Sequence, residues 1–222
     1  LFNHRMISLF YEAWEKYRFY VAYERDQQDR FSRFLMSFVG LGTAGLENRL
    51  AVRDESLLFY CGLFSLQPRS GAALEQVLAD YFDVPVEIEQ FVGAWRALDP
   101  ANQCRMEGSV AYSDQLGMGV VAGDEIWDQQ SRARIKLGPL TAGQYRSFLP
   151  SGDAWEPLRA LTSFFTGGEI EFEVQLILKR EEVPACELRG PDPEAPLLGW
   201  VSWIKSGASF GRDPGDTVLL LN

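Results

Sequence analysis

Histidine occurs once in this sequence, at position 4, and cysteine three times, at 61, 104 and 186. With a single imidazole available, any serine–histidine or cysteine–histidine mechanism would have to use His4. That residue lies between Asn3 and Arg5, on the polar side of an amphipathic stretch, and no G-x-S-x-G turn exists in the chain. A hydrogen bond at a helix start or an interface is the reading that fits it. The cysteines are far apart and odd in number, whereas a disulfide framework or zinc site wants close pairs. They read as buried free thiols in a reducing compartment. Long apolar runs are missing too. The longest uncharged stretches, 34–46 and 56–68, are 13 residues each, against the ~20 that a membrane-spanning helix needs. With 46% hydrophobic residues the chain therefore reads as globular and soluble. Its start, Leu1-Phe2-Asn3-His4-Arg5, has neither Met nor a basic-then-apolar leader, and is expected to continue an upstream segment.

Basic charge is also short. Residues 1–60 balance at 8 basic and 8 acidic side chains, and residues 61–222 carry 13 and 23, the whole of the net −10. Nucleic-acid binding needs a basic surface to displace counterions, and no such run exists. The acidic part suits a basic protein partner.

Aromatic residues are abundant and concentrated. Eleven of the 29 lie in the first 40 residues. On a helix over 3–22, Met6, Ile7, Leu9, Phe10, Ala13, Trp14, Tyr17, Tyr20 and Val21 fall on one half. That arc is wider than the ~100° of a helix lying on one core. Residues 27–39 repeat the pattern, with Phe31, Phe34, Leu35 and Phe38 at i, i+3, i+4, i+7. Each aromatic has about 150–250 Å² to bury, more than two short helices can hide against each other. This front is expected to pack on the rest of the chain, on other subunits, or on both, with a partner favoured by the arc width.

From residue 54 the chain repeats itself. Residues 74–89 match 158–173 at an offset of 84, with Leu74 on Leu158, Val77 on Leu161, and Val86 and Ile88 on Ile170 and Phe172. Leu116-Gly117 recurs as Leu198-Gly199, and Ile135-Lys136-Leu137 as Val218-Leu219-Leu220. Each unit reads alike. A short helix comes first (54–66, 141–148), with Asp54 and Thr141 as N-caps. A second follows (71–82, 155–166), with Ser70 capping the first copy. Next come a strand (84–92, 169–178), a long loop (97–115, 179–196) and a Leu-Gly turn into the last strands. The fold class is α+β: N-terminal aromatic-rich helices, 1–53, then two tandem small helix-plus-antiparallel-sheet repeats, 54–137 and 138–222. Loops this long are usually functional or disordered. Their placement at equivalent points makes them candidate paired docking sites, with Asp99, Arg105 and Met106 in the first and Glu181, Glu182, Pro184, Arg189 and Pro191 in the second.

The remaining motifs have structural readings. Gly40-Leu41-Gly42-Thr43-Ala44-Gly45 matches G-x-G-x-x-G, but it follows a helix and precedes no helical stripe, so it reads as a helix end and turn. Glu87 with Glu89, and Glu171 with Glu173, share strand faces. A glycosidase uses two carboxylates, but such neighbours usually just solvate a strand. Asp124, Glu125 and Asp128 could bind a hard cation, and hairpin-turn chemistry after Gly123 explains them more simply. Trp200 and Ser202 share one strand face and Val201 and Trp203 the other. An intrachain core is expected for one face, with a protein interface or a carbohydrate platform as the alternatives for Trp200.

Phe2-Asn3-His4-Arg5, the run Phe10–Arg18, the Gly40–Gly45 turn leading to Leu57–Gly62, Leu137-Gly138-Pro139-Leu140, Phe148-Leu149-Pro150 and Leu198–Trp203 resemble, in order, the TssG family of the type VI secretion baseplate. The resemblance implies a cytoplasmic wedge subunit near the inner membrane, in a hetero-oligomer with two copies of TssF. It also implies attachment through TssK, with TssE and the VgrG spike hub as further neighbours. The family brings no catalytic residues, cofactor or metal. The partner-facing residues would be Phe10, Trp14, Tyr17, Phe31, Phe34 and Phe38 toward TssF and the two loops toward TssK. A subunit of another contractile, phage-tail-like injection machine is the nearest alternative, and a carboxylate glycoside hydrolase using Glu87 or Glu171 a more distant one.

Overall fold

The computed structural model describes residues 1–26, 30–105, 112–185, 197–204, 207 and 210–221. Three helices lead: α1 (Phe2–Glu15), α2 (Phe19–Asp26) and α3 (Arg30–Val39). The single helix expected over 3–22 is thus broken. At the break the Arg18 N–H donates to the Glu15 carbonyl, and the Arg18 guanidinium lies 4.1 Å from the centre of the Trp14 ring. Glu15 pairs across it with Arg25 at 2.9 Å. α3 ends in a Schellman arrangement, with Leu41 N–H on the Met36 carbonyl at 2.9 Å and Gly40 N–H on that of Ser37 at 3.2 Å. Gly40 has φ +94, which only glycine adopts freely, and Leu41 is buried behind it. The glycine-rich segment is a helix stop, as expected.

The helix expected over 54–66 is two, α4 (Asp54–Phe59) and α5 (Cys61–Ser65), interrupted at Tyr60. The Tyr60 hydroxyl donates to Asp80 Oδ2 at 2.7 Å. Burial, reinforced by that carboxylate, holds its proton well above the usual phenol range. Asp54 is not an N-cap: Arg53 takes that position, and the Asp54 carboxylate accepts from Asn48 N–H at 2.8 Å. α6 (Gly71–Phe82) is capped by Ser70, which accepts from Ala73 N–H, and α7 (Ala142–Ser147) by a Thr141–Gln144 capping box. α8 (Trp155–Thr166) lies against α6. These two helices end alike, in left-handed residues 84 positions apart: Asp83 at φ 51 and Gly167 at φ 71.

The strands are β1 (Val86–Glu89), β2 (Ala94–Ala97), β3 (Glu125–Asp128), β4 (Arg132–Leu140), β5 (Glu171–Leu178) and β6 (Thr217–Leu221). The α+β class holds, but the strands expected in two antiparallel sheets meet in one mixed sheet of order β1-β4-β5-β6, while β2 and β3 form a separate hairpin. β1 with β4 and β5 with β6 are antiparallel; β4 and β5 are parallel at the centre. A parallel pair needs a crossover, and α7 and α8 supply it. One face carries Ile135, Leu137, Val174 and Leu176, fully buried under Val77, Leu78, Leu158 and Leu161 of the helices. Each such side chain contributes roughly 1.5–3 kcal/mol when fully buried. The proposed match of Val218 and Leu220 to Ile135 and Leu137 fails on this face. Val218 and Leu220 are 42% and 51% exposed, and Thr217, Leu219 and Leu221 turn inward.

Residues 198–201 form a turn, not a strand. Val201 is buried, Trp203 meets Tyr145 edge-on at 5.8 Å, and the Trp200 carbonyl accepts from Tyr145 Oη at 2.9 Å and Thr217 Oγ1 at 3.2 Å. Burial pushes the Tyr145 phenol up to about 12. The folded chain then holds this proton more tightly than the unfolded one. Tyr145's contribution to stability is therefore intact below about pH 10 and lost as pH rises through about 12. Tyr145→Phe should cost about 1 kcal/mol near neutrality and flatten that alkaline decline. Thermal melts of both proteins across alkaline pH check it, and parallel alkaline slopes would count against it.

Candidate interaction surfaces

The aromatic side chains that periodicity places on one half of α1 are exposed. No residue of α1 is buried. Phe10 is 76% exposed, Tyr17, in the α1–α2 break, 83%, and Phe38 70%; Trp14, Phe31 and Phe34 are exposed as well. α3 touches α4 and α5 and buries Val39. The Phe31-Phe34-Phe38 stripe therefore points away from the core, and the core reading of the front fails for these residues. Local contacts orient several rings, with Phe19 4.8 Å from Phe31 and Tyr11 stacked on Trp14 at 5.7 Å. A monomer's largest apolar patch is about 300–600 Å², and ten aromatics of about 150–250 Å² each, exposed by 40–83%, exceed it in total.

The loop candidates divide. Asp99 is exposed and its Oδ1 accepts from Ala101 N–H at 3.1 Å, holding a turn. Arg105 is exposed with its N–H on Asp114 Oδ1 at 2.8 Å. Glu181 pairs with Arg180 at 2.8 Å. The Glu182 carboxylate accepts from Ala142 N–H, Val183 is buried and Pro184 half-buried, so the root of the second loop is anchored to the start of α7. Met106, Arg189, Pro191 and Cys186 lie outside the described residues. Leu116-Gly117 and Leu198-Gly199 are turns with glycine φ of +82 and +81.

The strand carboxylates, weighed as hydrolase groups, face arginine and lysine. On the face of the sheet opposite the core, Lys136 lies 3.2 Å from Glu87 and 3.4 Å from Glu89. Arg134 reaches Glu89 at 3.6 Å and Glu173 at 3.4 Å. Arg132 reaches Glu171 at 3.0 Å, and Arg96 of the hairpin joins Glu171 at 3.0 Å and Asp128 at 3.2 Å. The result is a line of alternating charge from the hairpin to the β1 edge. Hydrogen bonding to Glu87 and then Glu89 keeps Lys136 protonated above its usual range, and the Ser131 hydroxyl, with Gln130 N–H, pulls Asp128 below its own. The periodicity of Arg132, Arg134 and Lys136 against Ala133, Ile135 and Leu137 was the available signal for these partners.

His4 is exposed in the first turn of α1. Among the described residues no three His, Cys, Asp or Glu side chains are grouped to hold a metal ion, and no helix is long and apolar enough to cross a membrane. Cys61 and Cys104 are half-buried free thiols.

The family described as type VI secretion, TssG, matches residues 1–205. No curated protein matches the sequence. Two solved structures share the fold. A chain of the TssK-TssF-TssG baseplate subcomplex of the type VI secretion system, seen by cryo-electron microscopy, superposes with a TM-score of 0.75 at 22% identity, over 99% of this chain and 88% of that one. A chain of the type VI secretion baseplate complex gives 0.66 at 21% identity, over 99% of this chain and 61% of that one.

Proposed function

This chain belongs to the TssG family of type VI secretion, and on that premise we propose that it is a non-enzymatic structural subunit of the baseplate wedge. Its N-terminal aromatic helices join TssF, and its two loops meet TssK. The observation that carries this reading is the exposed aromatic face of α1–α3. Such a face costs solubility in isolation and is stabilised by a partner that covers it. Residues 1–53 are then the TssF-binding segment, shared between two TssF copies, and 54–137 and 138–222 the two halves that each present one loop. One fold neighbour comes from a TssK-TssF-TssG baseplate subcomplex, which is consistent with this assignment. The strand carboxylates that the hydrolase reading would use lie in ion pairs with Arg132, Arg134 and Lys136.

Co-expression with TssF and TssK, followed by mass measurement of the purified complex, tests the assignment. A complex lacking TssF, or a chain recovered alone, would overturn it. The loop assignment has its own test. Replacing 186–196 by a short Gly-Ser linker, while keeping Glu182 and the buried Val183 that root the loop, should weaken TssK recovery at least tenfold, about 1.4 kcal/mol. TssF recovery should stay intact. Unchanged TssK recovery removes the loop from the interface.

A further inference from the structure

The β2–β3 hairpin is a two-stranded sheet of its own, separate from the four-stranded one, and its tip holds the described segments 98–105 and 112–124. A lone hairpin is marginal in water. Two devices hold this one, and they act on different things. Trp95 and Trp127 are cross-strand partners with rings 5.4 Å apart at 68°, and both are exposed. The Trp127 ring lies over Gly93, where a Cβ would come within 1.9 Å of a ring carbon. This pair holds β2 to β3.

Aiming falls to the other face. There Arg96 Nε lies 2.9 Å from Ser131 Oγ and 3.2 Å from Asp128 Oδ2, while its Nη2 lies 3.0 Å from Glu171 Oε1. One guanidinium therefore spans the hairpin, its connection to β4, and β5. Two backbone hydrogen bonds outside the ladders flank this contact, Val92 N–H to the Arg132 carbonyl and Glu171 N–H to that of Ser131. We propose that Arg96 is a positioning residue: its clasp fixes the direction of the β2–β3 hairpin, so that the loop at its tip meets a partner pre-organised. This rests on the reading that the loop docks TssK. The fork of an arginine suits this clasp, because Nε and Nη2 reach Asp128 and Glu171 from separate atoms of one rigid plane, whereas a lysine must reach both from a single nitrogen. A hairpin free to swing is competent only part of the time, and its apparent affinity falls by that fraction.

The test uses the full chain co-purified with TssF. In Arg96→Gln, hydrogen exchange at the Val92 and Glu171 amides should rise about tenfold, with the paired amides of β2 and β3 unchanged and TssK affinity down about tenfold, for a competent fraction near one tenth. Arg96→Lys should fall between Arg96→Gln and the parent chain. Raising salt from 0.1 to 1 M, which shortens screening from about 10 to 3 Å, should loosen the same amides in the parent chain. Unchanged exchange at Val92 and Glu171 overturns the proposal. So does a rise shared equally by β4 and β5, which would mark a general loss of stability. Local loosening with unaltered TssK affinity leaves the clasp standing and sinks the docking role of the loop.

Discussion

Replacing Phe10, Phe34 and Phe38 together by serine is expected to abolish co-purification of TssF without unfolding the chain. The three side chains are largely exposed, Phe10 on α1 and the others on the outward stripe of α3. Exposed substitutions away from special features stay within about 0.5 kcal/mol of neutral each, which is about 1–2 °C in Tm apiece for a chain of this length. Interface aromatics behave differently: a well-buried anchor costs about 2 kcal/mol or more on truncation. Three such losses, even if they fail to add fully, take the affinity down by about three orders of magnitude. The contrast between an unmoved melting curve and a lost partner is the signature of a docking face. Stoichiometric TssF in the pulldown of the triple variant would show that this face binds something else or nothing. A collapsed melting temperature would show that the helices are held to their own core after all.

How much of this was legible follows from what each pattern can encode. The stripe Phe31, Phe34, Phe38 is visible in the sequence, but a stripe looks the same whether its own core or another protein covers it. The excess of aromatic area was the clue, and the orientation of α3 shows that the chain's own core does not cover it. The break at Tyr60 was invisible because 56–64 is almost continuously apolar, with no glycine before position 62 and no proline. The register of β6 was misread for a related reason. Val218-Leu219-Leu220-Leu221 has no alternation, and only pairing with β5 turns Leu219 and Leu221 inward. The sheet itself joins segments far apart in the chain, β4 to β5 across two helices, and local patterns do not name a strand's partner. The ion line is an intermediate case. Its acidic half was seen as solvating and its basic half, Arg132, Arg134 and Lys136, was in plain alternation, but only pairing brings the two together. Caps, by contrast, are local chemistry, and Ser70 and Thr141 are where their sequence places them.

Gly138→Ala is expected to destabilise the chain by about 3 kcal/mol or more, lowering Tm by about 6–12 °C. Between Leu137 and Leu140, β4 has one more residue than β5 has between Leu176 and Leu178, so a bulge interrupts the ladder. Along an unbroken strand, residues three apart point to opposite faces. Here Leu137 and Leu140 are both fully buried, so the bulge is what returns Leu140 to the core. It does this at Gly138, with φ +134 and its N–H on the Pro85 carbonyl at 2.9 Å. A side chain at this φ is strained in any surroundings. A Cβ here would also lie 2.4 Å from the Ile177 carbonyl oxygen, which is β5 backbone in the middle of the sheet and cannot swing aside. Gly143→Ala is the control. It lies in α7, a Cβ there meets nothing within 4 Å, and alanine should gain up to about 1 kcal/mol from helix propensity. If the two variants melt together, the bulge is not what sets the register of the core. If they part by the expected interval, the Leu137-Gly138-Pro139-Leu140 motif is explained by the turn it makes in the sheet, with no chemistry asked of it.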